Sequence, residues 1–385
     1  MIKINKIFLS VSLLGVLAAC GTDLKKDRDS GKLAKLEETI LPNKVGETDN
    51  SILIKEAATI DPGAKEKNSL SATSDIEINK RNVWIDADLA VGMKRYHREG
   101  YSDVDDAYAI LQLFKAGNIN IKGISAVFGN TKIDDAYRLN QEMVGKFAPY
   151  EIPVYRGAGE KINLEKVESN EAVEALANAL RKEPLSILAI GPATNIGTLL
   201  LLYPELKSQI KEVVLVAGRR TPTSYFEIGR PTSHHAPDLN FDLDNNAFRI
   251  LLENGVKVVL CPFEISNKVW ITADDLDKMK TGDPAAKWLA EKSEPWLKQW
   301  EKVGEVGFNP FDLLASHYLM APEDIVSEKL NMNLEIHPND MLLDSPDHNF
   351  KQYLISDSEN GYPVTYCYDI VESYHEKMIE SLINN

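Results

Sequence analysis

The sequence predicts an α/β domain: an open, mostly parallel but mixed sheet flanked by helices, with its site at the carboxyl ends of the strands. Two observations carry this. From Asn82 onward short apolar runs alternate with patterned stretches of helical length, the order that builds parallel sheets through helical crossovers. The strand runs are also near-continuous hydrophobics, as expected where helices cover both faces of a sheet.

Taken in order, NVWID (82–86) is the first strand, followed by an acid-rich stretch and a helix over 105–116. INIKGISAVF (119–128) is the second, with a helix over 133–147 behind it. IPVYRG (152–157) precedes a helix over 170–181, LSILAI (185–190) one over 194–202, and EVVLVAG (212–218) a long polar loop and a helix over 245–253. KVVLCP (257–262) is the sixth strand. Gly117 and Gly255 follow predicted helices, where a residue free to take positive φ makes a good terminus. Past Pro262 the rhythm changes. Residues 273–320 read as mainly helical, with Pro295 expected to break one helix and open the next. A strand over 363–370 and a helix over 372–383 close the chain, and no internal repeat or second domain boundary is visible.

The first eighty residues read differently. Lys3 and Lys6 precede the apolar run IFLSVSLLGVLAAC, too short to span a bilayer and ending in small residues. LAAC resembles a bacterial lipobox, so residues 1–19 are expected to be a lipoprotein signal peptide and Cys20 the lipidated residue. Residues 20–80 are polar and charged with few aromatics, a composition that cannot bury a core, and read as a flexible tether. The domain is expected over 81–385. This places the protein at the bacterial cell envelope, on the membrane only through its lipid. Cys261 and Cys367 lie in apolar runs and read as two buried thiols. With 58 acidic against 43 basic residues the formal charge is −15, which argues against nucleic acid as a partner. The oligomeric state, monomer or homo-oligomer, is left open.

Ligands of open α/β sheets bind beyond the carboxyl ends of the strands, and those ends carry a pattern here. Asp86 and Asp88 follow the first strand, and Asp103, Asp105 and Asp106 open the next helix. Gly129-Asn130 follows the second, GPATN (191–195) the fourth, HHAPDLNFDLD (234–244) the loop after the fifth, and Glu264 and Ser266 the sixth. Alone, each has a duller explanation: Asp103 as an N-cap, or Asp105 and Asp106 complementing a helix dipole. Together they gather hard oxygen donors on one rim, which suits Ca²⁺ before Mg²⁺. Zinc is disfavoured, since neither cysteine is near the acidic run.

DAD…DVDDAYAI, VFGN, GPATN, DLNFDLD and NPFDLLASHYL occur in this order. Together they resemble the inosine–uridine-preferring nucleoside hydrolases from about Asn82 to the C-terminus, and imply the Rossmann-like fold of that family. The resemblance implies calcium-dependent hydrolysis of ribonucleosides to ribose and free base. It makes Asp88 a calcium ligand and the general base, Asp106 and Asp312 further ligands, and Thr194 a ligand through its backbone carbonyl. It gives Asp105, Asn130 and Asn240 the ribose hydroxyls, and places Asp238 where the family has a glutamate gripping the sugar. Asp86 would brace the loop.

Three departures stand out. The acidic motif is opened by an inserted run containing Lys94, Arg95, Tyr96 and His97, expected to loop over or beside the site. Phe311 occupies the place where some members carry the histidine that protonates the leaving base. His234, His235 or His97 could supply that proton instead. Asp238 is shorter than the family's glutamate. Two other functions compete: a non-catalytic surface lipoprotein that captures nucleosides, and an aspartate-nucleophile phosphatase suggested by WIDADLAV.

Overall fold

The computed structural model describes residues 80–96, 99–231, 234–341 and 349–383. The expected signal peptide, Cys20, the tether as far as residue 79, and His97 lie outside the described residues. No helix among the described residues is long and apolar enough to cross a membrane.

The elements follow the predicted alternation. In the first half they are β1 (Arg81–Ala87), α1 (Asp105–Lys115), β2 (Ile119–Ala126), α2 (Ile133–Phe147), β3 (Val154–Arg156), α3 (Glu171–Lys182), β4 (Leu185–Ala189), α4 (Thr194–Leu202) and β5 (Ile210–Leu215). Then come the short pair β6 (Glu227–Ile228) and β7 (His234–His235), α5 (Leu239–Leu243), α6 (Asn245–Glu253), β8 (Val258–Leu260) and α7 (Phe263–Ser266). The last part holds β9 (Ile271–Thr272), α8 (Ala273–Lys280), α9 (Pro284–Lys302), β10 (Gly307–Phe308), α10 (Phe311–Met320), β11 (Ile325–Pro338), β12 (Phe350–Ile355), β13 (Tyr362–Ile370) and α11 (Tyr374–Ile383).

Nine of the described strands form one sheet in the order β12-β11-β13-β8-β5-β4-β1-β2-β3, while β6 pairs with β7 and β9 with β10 apart from it. Pairing is parallel from β13 through β3 and antiparallel where β11 meets β13 and β12. Successive strand residues serve opposite faces. Val83 and Ile85 join the core beneath α1, α9, α10 and α11, while Trp84 joins that of α3, α4 and α6.

Three readings are corrected. Pro295 does not break a helix, because α9 runs through it from Pro284 to Lys302. A proline inside a helix costs about 3 kcal/mol. Burial of Leu289, Ala290, Trp296, Leu297 and Trp300 along the same helix offsets this, at about 1.5–3 kcal/mol for each large side chain. Gly255 has φ +67 after α6, whereas α1 ends on extended Ala116 and Gly117 is not left-handed. The long β11 and its partner β12 were not foreseen. β11 pairs with β13 over its first part and with β12 over its second, mixes polar with apolar residues, and buries few of its side chains. Cys261 and Cys367 are free and buried, as expected.

Candidate active site

Parallel pairing aligns the carboxyl ends of β1, β2, β4, β5 and β8, and the predicted residues stand just past them. Asp88 follows β1. Its Oδ2 accepts the Asn130 N–H at 2.7 Å, while Oδ1 is buried without a hydrogen-bond partner. A Cβ at Gly129 would lie 1.8 Å from Asp88 Oδ2, so only glycine lets the β2 loop come this close.

The helices bring the other carboxylates in. Asp105 and Asp106 open α1 and Asp312 opens α10, and the three buried side chains place carboxylate oxygens within 4.8 Å of one another. Both Asp106 oxygens lack a hydrogen-bond partner. Burial is the first cause that raises all these groups: Asp88 to about 7, and Asp105, Asp106 and Asp312 well above the usual carboxylate range, with mutual repulsion adding to it. Buried carboxylates with unpartnered oxygens suit a cation. The donor set therefore fits the metal that the resemblance implies.

The GPATN turn is a strut. Ala193 takes a left-handed φ of 58 ahead of α4. Buried Thr194 donates Oγ1 to Asp244 Oδ2 at 2.8 Å, and Asp244 also caps α6 through the Ala247 N–H. Asn195 Nδ2 reaches Asp86 Oδ1 at 2.7 Å, and Ser125 Oγ bonds the same oxygen. Asp86 thus braces the loop as anticipated, with burial raising its pKa to about 6.

Above the acidic cluster lies a pocket of about 550 Å³, mouth included, lined by Asp103, Asp105, Asn130, Asp238, Asn240 and Asp312. Asn240 gives its Nδ2 to the carbonyls of Val216 (3.0 Å) and Ile190 (3.3 Å), so its Oδ1 remains for a ligand hydroxyl. Asp238 Oδ2 accepts the Gly218 N–H at 2.6 Å, and burial raises its pKa to about 6. Phe226, Phe263 and Phe311 form an aromatic wall, with Phe226 stacked on Phe263 at 3.5 Å between centroids.

Sequence reasoning missed part of this. Asp103 is no N-cap, for Val104 holds that position. Asp103 Oδ1 instead takes the Val104 and Asp105 N–H groups at 2.7 and 3.4 Å, and the residue lines the pocket. Phe226 sits in a polar loop with no signal that could have marked it. The described part of the inserted run packs against α9. Lys94 bridges Tyr101, the Arg95 guanidinium lies over Trp296 of α9, and the Gln299 side-chain amide accepts the Tyr101 N–H and donates to the Tyr101 carbonyl. Of the proposed proton donors, His235 stacks on Tyr225, with Nδ1 2.9 Å from the Asp340 carbonyl and Nε2 3.4 Å from Glu227. It is not on the pocket lining. The His234 side chain, like His97, lies outside the described residues.

Residues 83–353 match the family described as inosine-uridine preferring nucleoside hydrolase. The chain belongs to that family. The nucleoside hydrolases are metal-dependent enzymes that cleave N-glycosidic bonds, and this chain is a hydrolase of that kind. Among relatives, it is 27% identical over 247 residues to a pyrimidine-specific ribonucleoside hydrolase RihA from Citrobacter koseri, covering 57% of this chain and 77% of that one. The RihA of Salmonella schwarzengrund is 26% identical with the same coverage. The fold matches a plant nucleoside hydrolase, PpNRh1 (TM-score 0.62, 15% identity, 79% of this chain and 99% of that one). A purine-preferring ribonucleoside hydrolase from Gardnerella vaginalis matches equally well (TM-score 0.62, 18% identity, 79% and 98%). Family membership leaves no place for the phosphatase reading.

Proposed function

We propose that this nucleoside hydrolase releases ribose and free base from ribonucleosides with calcium as its ion. The observation that carries this reading is the meeting of buried Asp105, Asp106 and Asp312, with both Asp106 oxygens unpartnered, beneath a pocket walled by Asn130, Asp238 and Asn240. Asp88, Asp106, Asp312 and the Thr194 carbonyl would hold the ion. A divalent cation supplies charge that offsets the clustered carboxylates and acidifies neighbouring water.

The rest falls to the chain's own groups. Asp88, with Oδ2 held by the Asn130 N–H, has Oδ1 left to take a proton from water. Asp105 and Asn130 hold the 2′- and 3′-hydroxyls, Asn240 offers Oδ1, and Asp238 grips the sugar from the far wall. The water oxygen adds at the anomeric carbon as the C–N bond breaks, and its electron pair leaves with the base. Phe311 has no proton to give that base. His234 and His97 are the proposed donors, whereas His235 would first have to leave the Asp340 carbonyl and Glu227.

The test is ribose release from a nucleoside panel by chelator-treated protein, before and after calcium. Calcium-dependent release is expected. Nucleoside binding without turnover would favour the capture reading instead.

Ion uptake should also expel protons. Asp88 is held up to about 7 by burial, with Asp105, Asp106 and Asp312 higher than usual. Ligands must shed protons to bind. Calorimetry at pH 7 in two buffers of different ionisation heat should therefore show proton release, and buffer-independent heats would contradict the site. Without the ion these groups keep protons that the unfolded chain gives up above pH 3.8. Stability of the ion-free protein should thus fall as pH rises from about 4 through 7.

We further propose that residues 1–19 are removed and that Cys20 carries the lipid anchoring the protein to the cell envelope. Cys20→Ser should move it from the membrane to the soluble fraction. Unchanged membrane association would exclude this anchor.

A further inference from the structure

The pocket continues past its sugar end. A second chamber of about 690 Å³, mouth included, shares Gly218, Phe226, Asp238 and Phe263 with the first. Its other walls include Arg219, Tyr225, Glu264, Asn267 and Tyr366, beyond the carboxyl ends of β5 and β8 and beside β13. Cleavage of a plain nucleoside uses none of these five.

Which part of a ligand would enter follows from the sugar. With the 2′- and 3′-hydroxyls on Asp105 and Asn130, the hydroxyl of a ribonucleoside left for Asp238 is the one on C5′. Asp238 stands on the wall common to both chambers. A group carried on O5′ is thereby directed into the second chamber.

The chemistry of the walls selects that group. Two carboxylates, Asp238 and Glu264, line the chamber. The Arg219 guanidinium is already engaged, with Nη1 2.8 Å from Asp340 Oδ2 and its plane over the Tyr353 ring at 4.6 Å. Glu264 accepts the Tyr366 hydroxyl at 2.6 Å and lies 3.7 Å from Arg220 Nε, which fixes its carboxylate in place. A phosphate dianion there would meet two like charges. A neutral, hydroxyl-rich ring suits the walls better. It can stack on Tyr225, Phe226 or Phe263 and donate hydroxyls to Glu264 and the Asn267 amide.

We propose that this chamber is a subsite for a sugar carried on O5′, so that 5′-O-glycosylated ribonucleosides are substrates of the enzyme. The inference rests on the ribonucleoside hydrolysis argued above.

The test compares kcat/KM for a plain nucleoside, its 5′-O-glucosyl derivative and its 5′-monophosphate. Asn267 is exposed, so Asn267→Trp can fill the chamber without disturbing the core. The glucosyl derivative should be cleaved within about tenfold of the parent, and the monophosphate far more slowly. Asn267→Trp and Glu264→Ala should each lower the ratio of glucosyl to plain activity by about tenfold or more, the scale of a lost hydrogen bond to a charged group. Cleavage of the plain nucleoside but not the glucosyl derivative overturns this inference alone. Equal cleavage with a ratio that neither variant moves, or a monophosphate cleaved as well as the glucosyl derivative, also overturns it. If no nucleoside is cleaved, the hydrolase reading fails and takes the inference with it.

Discussion

Asp88→Asn should lower kcat for ribose release by at least about 10²–10⁴-fold, the range typical for losing a general base. The amide keeps the size of the side chain and cannot take up the proton. Its Oδ1 can still accept the Asn130 N–H that now bonds the carboxylate. Structure around the β2 loop should therefore survive. The substitution also removes one buried negative charge from a cluster whose members already repel, so the ion-free variant should melt no lower than the wild type. Loss of rate with retained folding separates a chemical role from a structural one. Near-normal ribose release at saturating calcium would end the assignment of Asp88 as base.

Asp312→Ala should produce the second large effect, on the ion. Asp312 closes the carboxylate group from the start of α10, more than 200 positions along the chain from Asp88. Losing even an outer-shell partner of a bound metal costs roughly 10–100-fold in affinity, and a direct ligand should cost at least that. Raising calcium should partly restore activity, because Asp88 and Asp106 remain. Stability should move the other way. The Asp312 carboxyl is raised by burial first and by its acidic neighbours second, so its removal relieves a cost that is present at neutral pH. Without calcium the variant should therefore melt higher than the wild type, and with calcium it should gain less. A variant with an unchanged calcium dissociation constant would remove Asp312 from the ligand set.

Much of the scaffold was legible because local signals agreed with the fold. α2 and α4 begin and end at the predicted residues, 133–147 and 194–202, since their patterns switch sharply at loops. The acidic residues were legible as a group because strand ends of a parallel sheet must share one rim. What escaped depends on contacts distant in sequence. Phe226 gains meaning only by stacking on Phe263 at the start of α7. The inserted run finds its place through Gln299 and Trp296 of α9, about 200 residues away. Asp103 was legible among the rim carboxylates, and the fold sets it on the pocket lining. β11 was invisible because polar residues interrupt its apolar ones and few of its side chains are buried, so it lacks the continuous apolar run that marks the central strands.

The most direct test of the central claim is an anomalous difference map from crystals grown with calcium. One peak is expected among Asp88, Asp106, Asp312 and the Thr194 carbonyl, with oxygen–ion distances of about 2.3–2.6 Å. An ion bound elsewhere, or no ion at this cluster in crystals of protein that releases ribose, would contradict the account.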